Sequence, residues 1–274
     1  MKKKIEALFK AIDKYDIITI DKLIKEGIDV NACWKGYTPL TYLIEVMGYD
    51  DRCDGCCQDD CYYKVEEIAK LLVEAGADVN AKLDDWPLLL EAAKFGDINL
   101  VKLFLEHGAN ISETNRLGET ALIIAINYSR NYDIAKLLIA NGIDVNKGDH
   151  DGATPLMEAS LNDLIDVVDS LIKAHADVNA RRAGGITALM EACNDYFFHG
   201  RDSVELVTKL IEAGADVNAV NEYGETALSY AMKSKSSRVI ETLLKLGAKT
   251  GSQLKKSLSS QTKGAAKSAM YGVV

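Results

Sequence analysis

The chain has 274 residues, of which 48% are hydrophobic and 27% are charged, and its net charge at pH 7 is −9. This hydrophobic content excludes a disordered chain, and no apolar run reaches the roughly 20 residues that a membrane helix needs. Four lysines and no acid follow Thr250, so residues 1–250 carry a net charge of −13. Because an acidic body repels phosphate, we expect neither nucleic acid nor membrane as a partner, and a basic or mixed-charge protein fits better.

The N terminus begins Met1-Lys2-Lys3-Lys4, as a signal peptide can, but Glu6 and Lys10 interrupt the apolar stretch that should follow. We therefore predict a cytoplasmic chain, or a secreted effector that lacks a recognisable signal peptide. We also expect a monomer.

A pentapeptide dominates the chain: Gly76-Ala77-Asp78-Val79-Asn80 is written again at residues 214–218. Near-copies begin at Gly27, Gly108, Gly142, His175 and Gly247. The intervals between successive first residues are 49, 32, 34, 33, 39 and 33. Self-similarity near this period indicates an array of stacked units that share one continuous core.

Residues 152–180 show what one unit contains. Thr154 can cap a helix whose first position is Pro155, where a missing N–H does no harm. A second apolar stripe, at helical spacing, then runs from Leu164 to Ala174. The other units end this second helix on glycine, the residue that most readily adopts a left-handed conformation, whereas this unit has His175.

The opening Gly152-x-Thr154-Pro155-Leu156-x-x-Ala159 and the Gly-Ala-Asp-Val-Asn close resemble the ankyrin repeat. Similar openings begin at Gly36, Gly118, Gly185 and Gly224, whereas the third unit departs by placing Pro87 where threonine belongs. The resemblance covers about residues 4–250 and implies an all-α ankyrin-repeat solenoid, with helix-turn-helix units joined by β-hairpin loops. We predict seven repeats, at about residues 4–32, 33–81, 82–112, 113–146, 147–180, 181–219 and 220–250.

The ends of the array differ from its middle. The first repeat lacks the hairpin and carries several lysines, as expected of a polar N-terminal cap, and the seventh should close the other end. Residues 251–274 are rich in serine, lysine and glycine. We expect them to form a flexible or loosely attached basic tail, or else a targeting or partner-binding peptide.

An insertion near residues 48–63 of the second repeat contains four of the six cysteines. Cys53 and Cys56 have the C-x-x-C spacing of a zinc knuckle, and Cys57 and Cys61 can complete a tetrahedral set. A disulfide that closes the loop as a redox switch is a second interpretation. A solvated acidic loop with reduced thiols is a third. The first two make a metal- or redox-responsive regulator the alternative function.

A shorter insertion near residues 194–201 occupies the same position between the helices of the sixth repeat, and it contains Tyr196-Phe197-Phe198-His199. It is either a local packing patch or an aromatic contact for a partner. The hairpins that enter the second and third repeats are one residue shorter than the later ones.

The sequence offers no catalytic residues. The four histidines are scattered, and no phosphate loop, nucleophile elbow or H-E-x-x-H motif is present. His107 and His175 stand at the ends of second helices, where C-terminal capping explains them. We therefore predict a non-enzymatic protein without a cofactor, apart from zinc in the cysteine loop.

The resemblance implies instead a concave face, made of hairpin tips and first helices, that binds a partner protein. Exposed tryptophan and tyrosine commonly anchor such interfaces, although Tyr37 and Trp86 can equally pack between neighbouring hairpins. Glu158 and Glu191 would make the middle acidic. The residues assigned to this face are Trp34, Tyr37, Tyr42, Trp86, Phe95, Arg116, Tyr128, Glu158, Glu191, Tyr223 and Tyr230.

Overall fold

A computed structural model describes residues 2–48, 58–129, 132–194 and 203–256, with side chains in these ranges except at positions 48 and 58–62. Seven helix pairs follow one another within these ranges, one for each predicted repeat, and the first pair begins at Lys2, two residues before the predicted start. The helices are α1 (Lys2–Asp13), α2 (Ile17–Lys25), α3 (Pro39–Gly48), α4 (Gln58–Glu74), α5 (Leu88–Phe95), α6 (Ile98–Glu106), α7 (Ala121–Asn127), α8 (Asp133–Ala140), α9 (Pro155–Leu161), α10 (Ile165–Lys173), α11 (Ala188–Ala192), α12 (Val204–Glu212), α13 (Ala227–Ser234) and α14 (Ser237–Lys245). The predicted all-α class is confirmed.

The helices belong to two compact halves, Met1–Asp144 and Val145–Val274. In the N-terminal half, the first helices pack in the order α1, α3, α5, α7, and the second helices in the order α2, α4, α6, α8. In the C-terminal half, α9, α11 and α13 form one row and α10, α12 and α14 the other. Within each half, each repeat thus covers the apolar surface of its neighbour, which a single helix pair could not do alone.

The core lies mainly around the first helices. Every residue of α7 from Ala121 to Ile126 is buried, because this helix is short, apolar and enclosed by its neighbours. A second helix such as α10 buries only a stripe, formed by Val167, Val168 and Leu171, and leaves its other side polar. The surface available beside the first helices therefore comes from the few larger side chains at their edges and from the hairpins.

Threonine caps begin five of the first helices, including α3, where the Thr38 hydroxyl accepts the backbone N–H of Thr41 at 3.3 Å. In α9, the Thr154 hydroxyl accepts the backbone N–H of Met157 at 3.4 Å, as predicted. Thr120, Thr187 and Thr226 cap α7, α11 and α13 in the same way. Pro87 occupies this position before α5 and provides no side-chain cap.

His175 adopts the left-handed backbone conformation that the sequence predicts for it, with φ of 63°. The equivalent glycines, such as Gly142 and Gly214, have φ of 80° and 98°. At the end of α6, an imidazole nitrogen of His107 lies 2.9 Å from the carbonyl oxygen of Leu103, the capping contact expected there.

The early hairpins are tight. Strands β1 (Lys82–Leu83) and β2 (Trp86–Pro87) pair antiparallel, with Leu83 opposite Trp86, so only two residues turn between them. Those two residues, Asp84 and Asp85, both have positive φ, which a two-residue turn of this type requires. In the sixth repeat Arg182 pairs with Ile186, which leaves three residues in the turn and matches the longer spacing in the sequence.

The last residue of the repeated pentapeptide links one repeat to the next. The Asn179 amide donates to the Gly214 carbonyl at 2.9 Å and accepts the Asp216 N–H at 2.8 Å. Asn31, Asn80, Asn146 and Asn218 make the same pair of bonds to the following repeat. These five asparagines are called the asparagine ladder below.

Two segments differ from the expectation. Helix α4 begins at Gln58, so Cys61 belongs to a helix and not to the predicted loop over residues 48–63. Residues 251–256 are helical, with Gly251 buried against the Gly224 carbonyl, where a Cβ atom would come within 1.8 Å of the oxygen. The start of the predicted tail is therefore packed on the seventh repeat.

Candidate functional site

Three of the predicted aromatic residues pack together at the start of the N-terminal half. The rings of Trp34 and Tyr42 each lie 5.0 Å from the ring of Phe9, and Tyr37 stands edge-on to Tyr42 at 5.7 Å. The Tyr42 hydroxyl also bonds the Asp13 carboxylate at 2.5 Å. All three predicted residues are half-buried. They therefore support the first repeat as well as presenting an aromatic surface.

The third repeat places Trp86 and Phe95 around a lysine. The Lys94 ammonium lies 5.1 Å from the centre of the Trp86 ring and 5.9 Å from that of Phe95. It also lies 3.6 Å from a carboxylate oxygen of Glu91, a residue that is only 8% exposed. Burial raises the pKa of Glu91; Lys94 opposes this shift, and the nearby Glu45 charge adds to it.

Arg116 and Tyr128 are exposed. The Arg116 guanidinium pairs with Asp85 of the preceding hairpin at 2.5 Å, and this pair lowers the pKa of that carboxyl group. Tyr128 ends α7 and is 54% exposed. Both side chains are therefore accessible to a partner protein in solution.

In the C-terminal half, Tyr223 stands at a hairpin tip and is 76% exposed. Its backbone is held by Asn221, whose side-chain oxygen accepts the N–H groups of Tyr223 at 3.0 Å and Glu225 at 2.8 Å. The Asn221 amide donates to the Tyr230 hydroxyl at 3.2 Å. Burial raises the pKa of Tyr230, and that residue is half-buried.

Glu191 does not form the open acidic contact that the sequence predicts. It is 3% exposed, and one of its oxygens accepts from Nε and Nη2 of Arg182, at 2.9 and 2.5 Å. Its other oxygen accepts from Asn194 at 3.3 Å. Glu158 is half-buried and adds a favourable charge to Arg182. A half-buried arginine partner therefore neutralises part of the acidic middle.

Residues that hold the hairpin tips were missed at the sequence level. Asn115 plays the role of Asn221 in the fourth repeat. Its side-chain oxygen accepts the N–H groups of Leu117 and Glu119 at 2.9 and 3.0 Å. Asp149 does the same in the fifth repeat. The available signal was an asparagine or aspartate three residues before the hairpin glycine, a pattern typical of turns closed by a side chain.

The predicted metal ligands Cys53, Cys56 and Cys57 lie outside the described residues, and for Cys61 only the helical backbone is described. The zinc and redox interpretations remain predictions. Across the described ranges, no three acidic, histidine or cysteine side chains are grouped so as to hold a metal ion. Cys193 is fully buried, which raises its thiol pKa to about 12. The aromatic insertion Tyr196–His199 also lies outside the described residues.

A small cavity in the C-terminal half borders Cys193, Glu191 and Ser203. Its volume of about 20 Å³ is sufficient for one water molecule. This volume is far below that of an ordinary small-molecule site, which is about 300 Å³ or more. The cavity provides no substrate pocket.

Comparison with known proteins identifies the repeats. The family described as "Ankyrin repeats (3 copies)" matches residues 89–182 and 156–253, and "Ankyrin repeats (many copies)" matches residues 61–105. The ankyrin repeat domain of Bcl-3, a member of the IkappaB family, superposes with a TM-score of 0.66 at 25% identity, covering 86% of this chain and 96% of that one.

Similar proteins occur in a virus, a bacterium and a vertebrate. A fowlpox virus ankyrin repeat protein, FPV031, is 33% identical over 141 residues, which make up 47% of this chain and 41% of that protein. The Escherichia coli ankyrin repeat protein YahD is 36% identical over 104 residues, or 38% of this chain and 51% of YahD. Zebrafish neurogenic locus notch homolog protein 1 is 39% identical over 104 residues, which cover 37% of this chain and only 4% of that protein. The chain spans about half or less of the length of these relatives.

In the described part of the chain, every helix is too short or too polar to span a bilayer. Ankyrin repeats generally act as protein–protein interaction modules and are typically non-enzymatic scaffolds. Since the family matches extend from residue 61 to residue 253 and the fold agrees with them, this chain belongs to the ankyrin-repeat family.

Proposed function

We propose that this protein is a non-catalytic interaction scaffold that binds a partner protein through its hairpin tips and first helices. The observation that carries the proposal is Tyr223, a large aromatic side chain that is 76% exposed on a hairpin whose backbone is fixed. Aromatic residues on rigid supports are common interface anchors, because little conformational freedom is lost when they are covered.

The rigidity comes from named contacts. Asn221, which is itself buried, fixes the turn through two backbone N–H groups. The N–H of Glu222 also donates to the Gly184 carbonyl of the preceding hairpin at 2.9 Å. The tip is therefore held within its own repeat and by the neighbouring one.

The N-terminal half supports the same proposal with its own residues. Leu117 is 60% exposed on a hairpin that Asn115 fixes, and Tyr128 is 54% exposed at the end of a first helix. Exposed apolar side chains on an otherwise polar surface are the parts most stabilised by contact with a partner.

The test uses tyrosines of similar exposure on different surfaces. Tyr223→Ser and Tyr128→Ser remove side chains from a hairpin tip and a first helix, while Tyr63→Ser removes one that is 66% exposed on the second helix α4. Tagged full-length proteins are expressed in the native cell, and captured partners are identified and quantified by mass spectrometry. We expect Tyr223→Ser or Tyr128→Ser to lose a partner that the parent and Tyr63→Ser both retain.

Equal capture by all four proteins would contradict binding through these tips and first helices. Alanine at Trp34 or Tyr42 is a poorer test, because both rings pack on Phe9 and their removal would also loosen the first repeat. Circular dichroism of the tyrosine variants checks that each remains folded.

A further inference from the structure

Three aromatic side chains of the predicted binding surface each carry a lysine of this same chain over the ring. The distances from ammonium to ring centre are 4.4 Å for Lys35 on Trp34, 5.1 Å for Lys94 on Trp86 and 5.6 Å for Lys233 on Tyr230. An ammonium within about 6 Å of a ring centre is attracted by the negative face of the ring. Each ring is therefore already acting as a cation-binding surface.

A carboxylate accompanies two of these lysines. Lys233 pairs with Glu225, and Lys94 lies beside Glu91. Near Lys35, Glu6 is paired with Lys10 at 2.8 Å, and Lys10 lowers the pKa of Glu6 more than Lys35 does. The same arrangement of ring, carboxylate and ammonium thus occurs in both halves of the molecule.

The site around Trp86 is the most completely built. Trp86 and Phe95 supply two ring faces, and Glu91 supplies a carboxylate that is only 8% exposed. A carboxylate at such depth favours a nearby positive charge more strongly than a solvated one, because water screens it less. The site is therefore specialised for a cation, with Lys94 as its present occupant.

Lys94 holds this position weakly. Its side chain is 42% exposed on a flexible stem, and its contact with Glu91 is 3.6 Å, longer than a good charge-assisted hydrogen bond. Glu45, one repeat earlier, adds a second negative charge, so Lys94 does not neutralise the pair of acids. An incoming anion would be repelled, whereas a second cation would be attracted.

We propose that the site formed by Trp86, Glu91 and Phe95 receives a lysine or arginine side chain of the protein partner, which displaces Lys94. The proposal rests on the proposed function, and it specifies the partner as one that presents an exposed basic segment. The net charge of −13 on residues 1–250 favours the approach of such a segment.

The experiment measures the site without any natural partner. Trp34→Phe leaves Trp86 as the only tryptophan, so its fluorescence reports on the site. Nα-acetyl-lysine methylamide is titrated at pH 8 and constant ionic strength into this parent and into its Lys94→Met derivative. Nα-acetyl-norleucine methylamide serves as the uncharged probe, and Lys102→Met, a change at an exposed position on α6, serves as the control variant.

We expect Lys94→Met to bind the lysine probe about tenfold more tightly than the parent does, because the internal competitor has been removed. Lys102→Met should behave as the parent, and the norleucine probe should give no saturable change. Adding Glu91→Gln to Lys94→Met should abolish the gain, since the buried negative charge is then absent.

Equal titrations for Lys94→Met and the parent, or equal effects of the two probes, would overturn the proposal. Circular dichroism and urea unfolding of each variant verify that Trp86 still lies on a folded third repeat. The outcome is independent of the pull-down described above: the cation site can fail while the tyrosine variants still lose a partner, and the reverse can also occur.

Discussion

At the scale of single residues, the buried hydroxyl of Thr226 makes two hydrogen bonds that stabilise the seventh repeat. It is fully buried, accepts the Ser229 N–H at 3.4 Å and donates to the Lys249 carbonyl at 2.8 Å. It thereby caps α13 and ties that cap to the end of the seventh repeat. Valine has nearly the same shape but can make neither bond.

We expect Thr226→Val to lower the free energy of unfolding by about 1–2 kcal/mol, because a helix cap is lost and a carbonyl loses its donor. Urea unfolding followed by circular dichroism measures the change. Thr242→Val is the matched control, since that hydroxyl only bonds the Arg238 carbonyl of its own helix. Equal effects of the two substitutions would show that capping does not explain the loss.

Two aspartate caps should respond to pH in opposite directions. Asp97 caps α6, and burial raises its pKa, aided by the charge of Glu66. The folded protein then binds that proton more tightly than the unfolded chain does, so this carboxyl group stabilises the fold less as the pH rises through its raised pKa. Asparagine keeps the capping oxygen without the charge.

We therefore expect the stability of the parent, relative to Asp97→Asn, to fall as the pH is raised from about 3.5 to 7. Asp16, the cap of α2, is the control: hydrogen bonds from Thr19 lower its pKa, so the parent should gain relative to Asp16→Asn over the same range. Urea midpoints at several pH values measure both differences. If the two stability differences changed with pH in the same direction, the opposite pKa shifts of Asp97 and Asp16 would be contradicted.

At the scale of elements, the asparagine ladder explains why the pentapeptide ends in asparagine. One amide spans two backbone groups of the next repeat, as Asn80 does with the Gly108 carbonyl and the Asn110 N–H. The third repeat has Ser112 at this position. A hydroxyl is shorter than an amide and has a single oxygen with which to reach both groups.

Ser112→Asn should therefore raise the urea midpoint, with a gain of about 0.5–1.5 kcal/mol, because an amide offers the two backbone groups a separate donor and acceptor. Asn179→Ser makes the reverse change where the ladder is complete, and it should lower the midpoint by a similar amount. A Ser112→Asn protein no more stable than the parent would show that the ladder contributes geometry without net stability.

The segment between α3 and α4 can be tested through its chemistry. The zinc hypothesis for Cys53, Cys56, Cys57 and Cys61 predicts about one zinc per chain in protein purified without chelator, because a structural site is nearly fully occupied. Elemental analysis and a thiol count in denaturant, out of six cysteines, measure this. Less than about 0.2 zinc per chain with all thiols free would exclude both the metal and the redox interpretation.

The sequence predicted the repeats well because their signals are local and recur. Thr154 with Pro155 marks a helix start, and a left-handed position such as His175 marks a helix end. The start of α4 was missed because Gln58-Asp59-Asp60-Cys61 has no cap signal and weak apolar periodicity. The helix over residues 251–256 has a local signal, the capping box of Thr250 and Gln253, but its anchor, Gly251 on Gly224, is a contact between separate segments.

The candidate site was less predictable for the same reason. Position within the repeat identified Trp86 and Tyr223 but not what surrounds them. Whether Glu191 faces solvent or Arg182 depends on the path of a hairpin nine residues earlier. The position of the lysine over each ring likewise depends on side-chain packing, which the spacing of residues in the sequence does not predict.

At the scale of the whole molecule, the 41 acidic residues outnumber the 32 lysines and arginines. Several surface ion pairs, such as Lys10 with Glu6 and Lys245 with Glu241, are exposed and separated by one helical turn. Each contributes little to stability, because solvent screens it, and salt weakens it further. The excess negative charges, which sum to −9, repel one another in the folded chain, and salt weakens that repulsion as well.

We expect repulsion to dominate, so the thermal midpoint at pH 7.5 should rise when NaCl is increased from about 10 to 300 mM, as the Debye length falls from about 30 Å to well below 10 Å. The gain should shrink near the isoelectric point of about 5.1, where the net charge vanishes. Chloride is preferred to sulfate, which strengthens apolar burial by itself. A midpoint that falls with salt at pH 7.5 would show that the ion pairs outweigh the repulsion. It would also weaken the argument that the acidic body attracts a basic partner, because the same uncompensated charge underlies both effects.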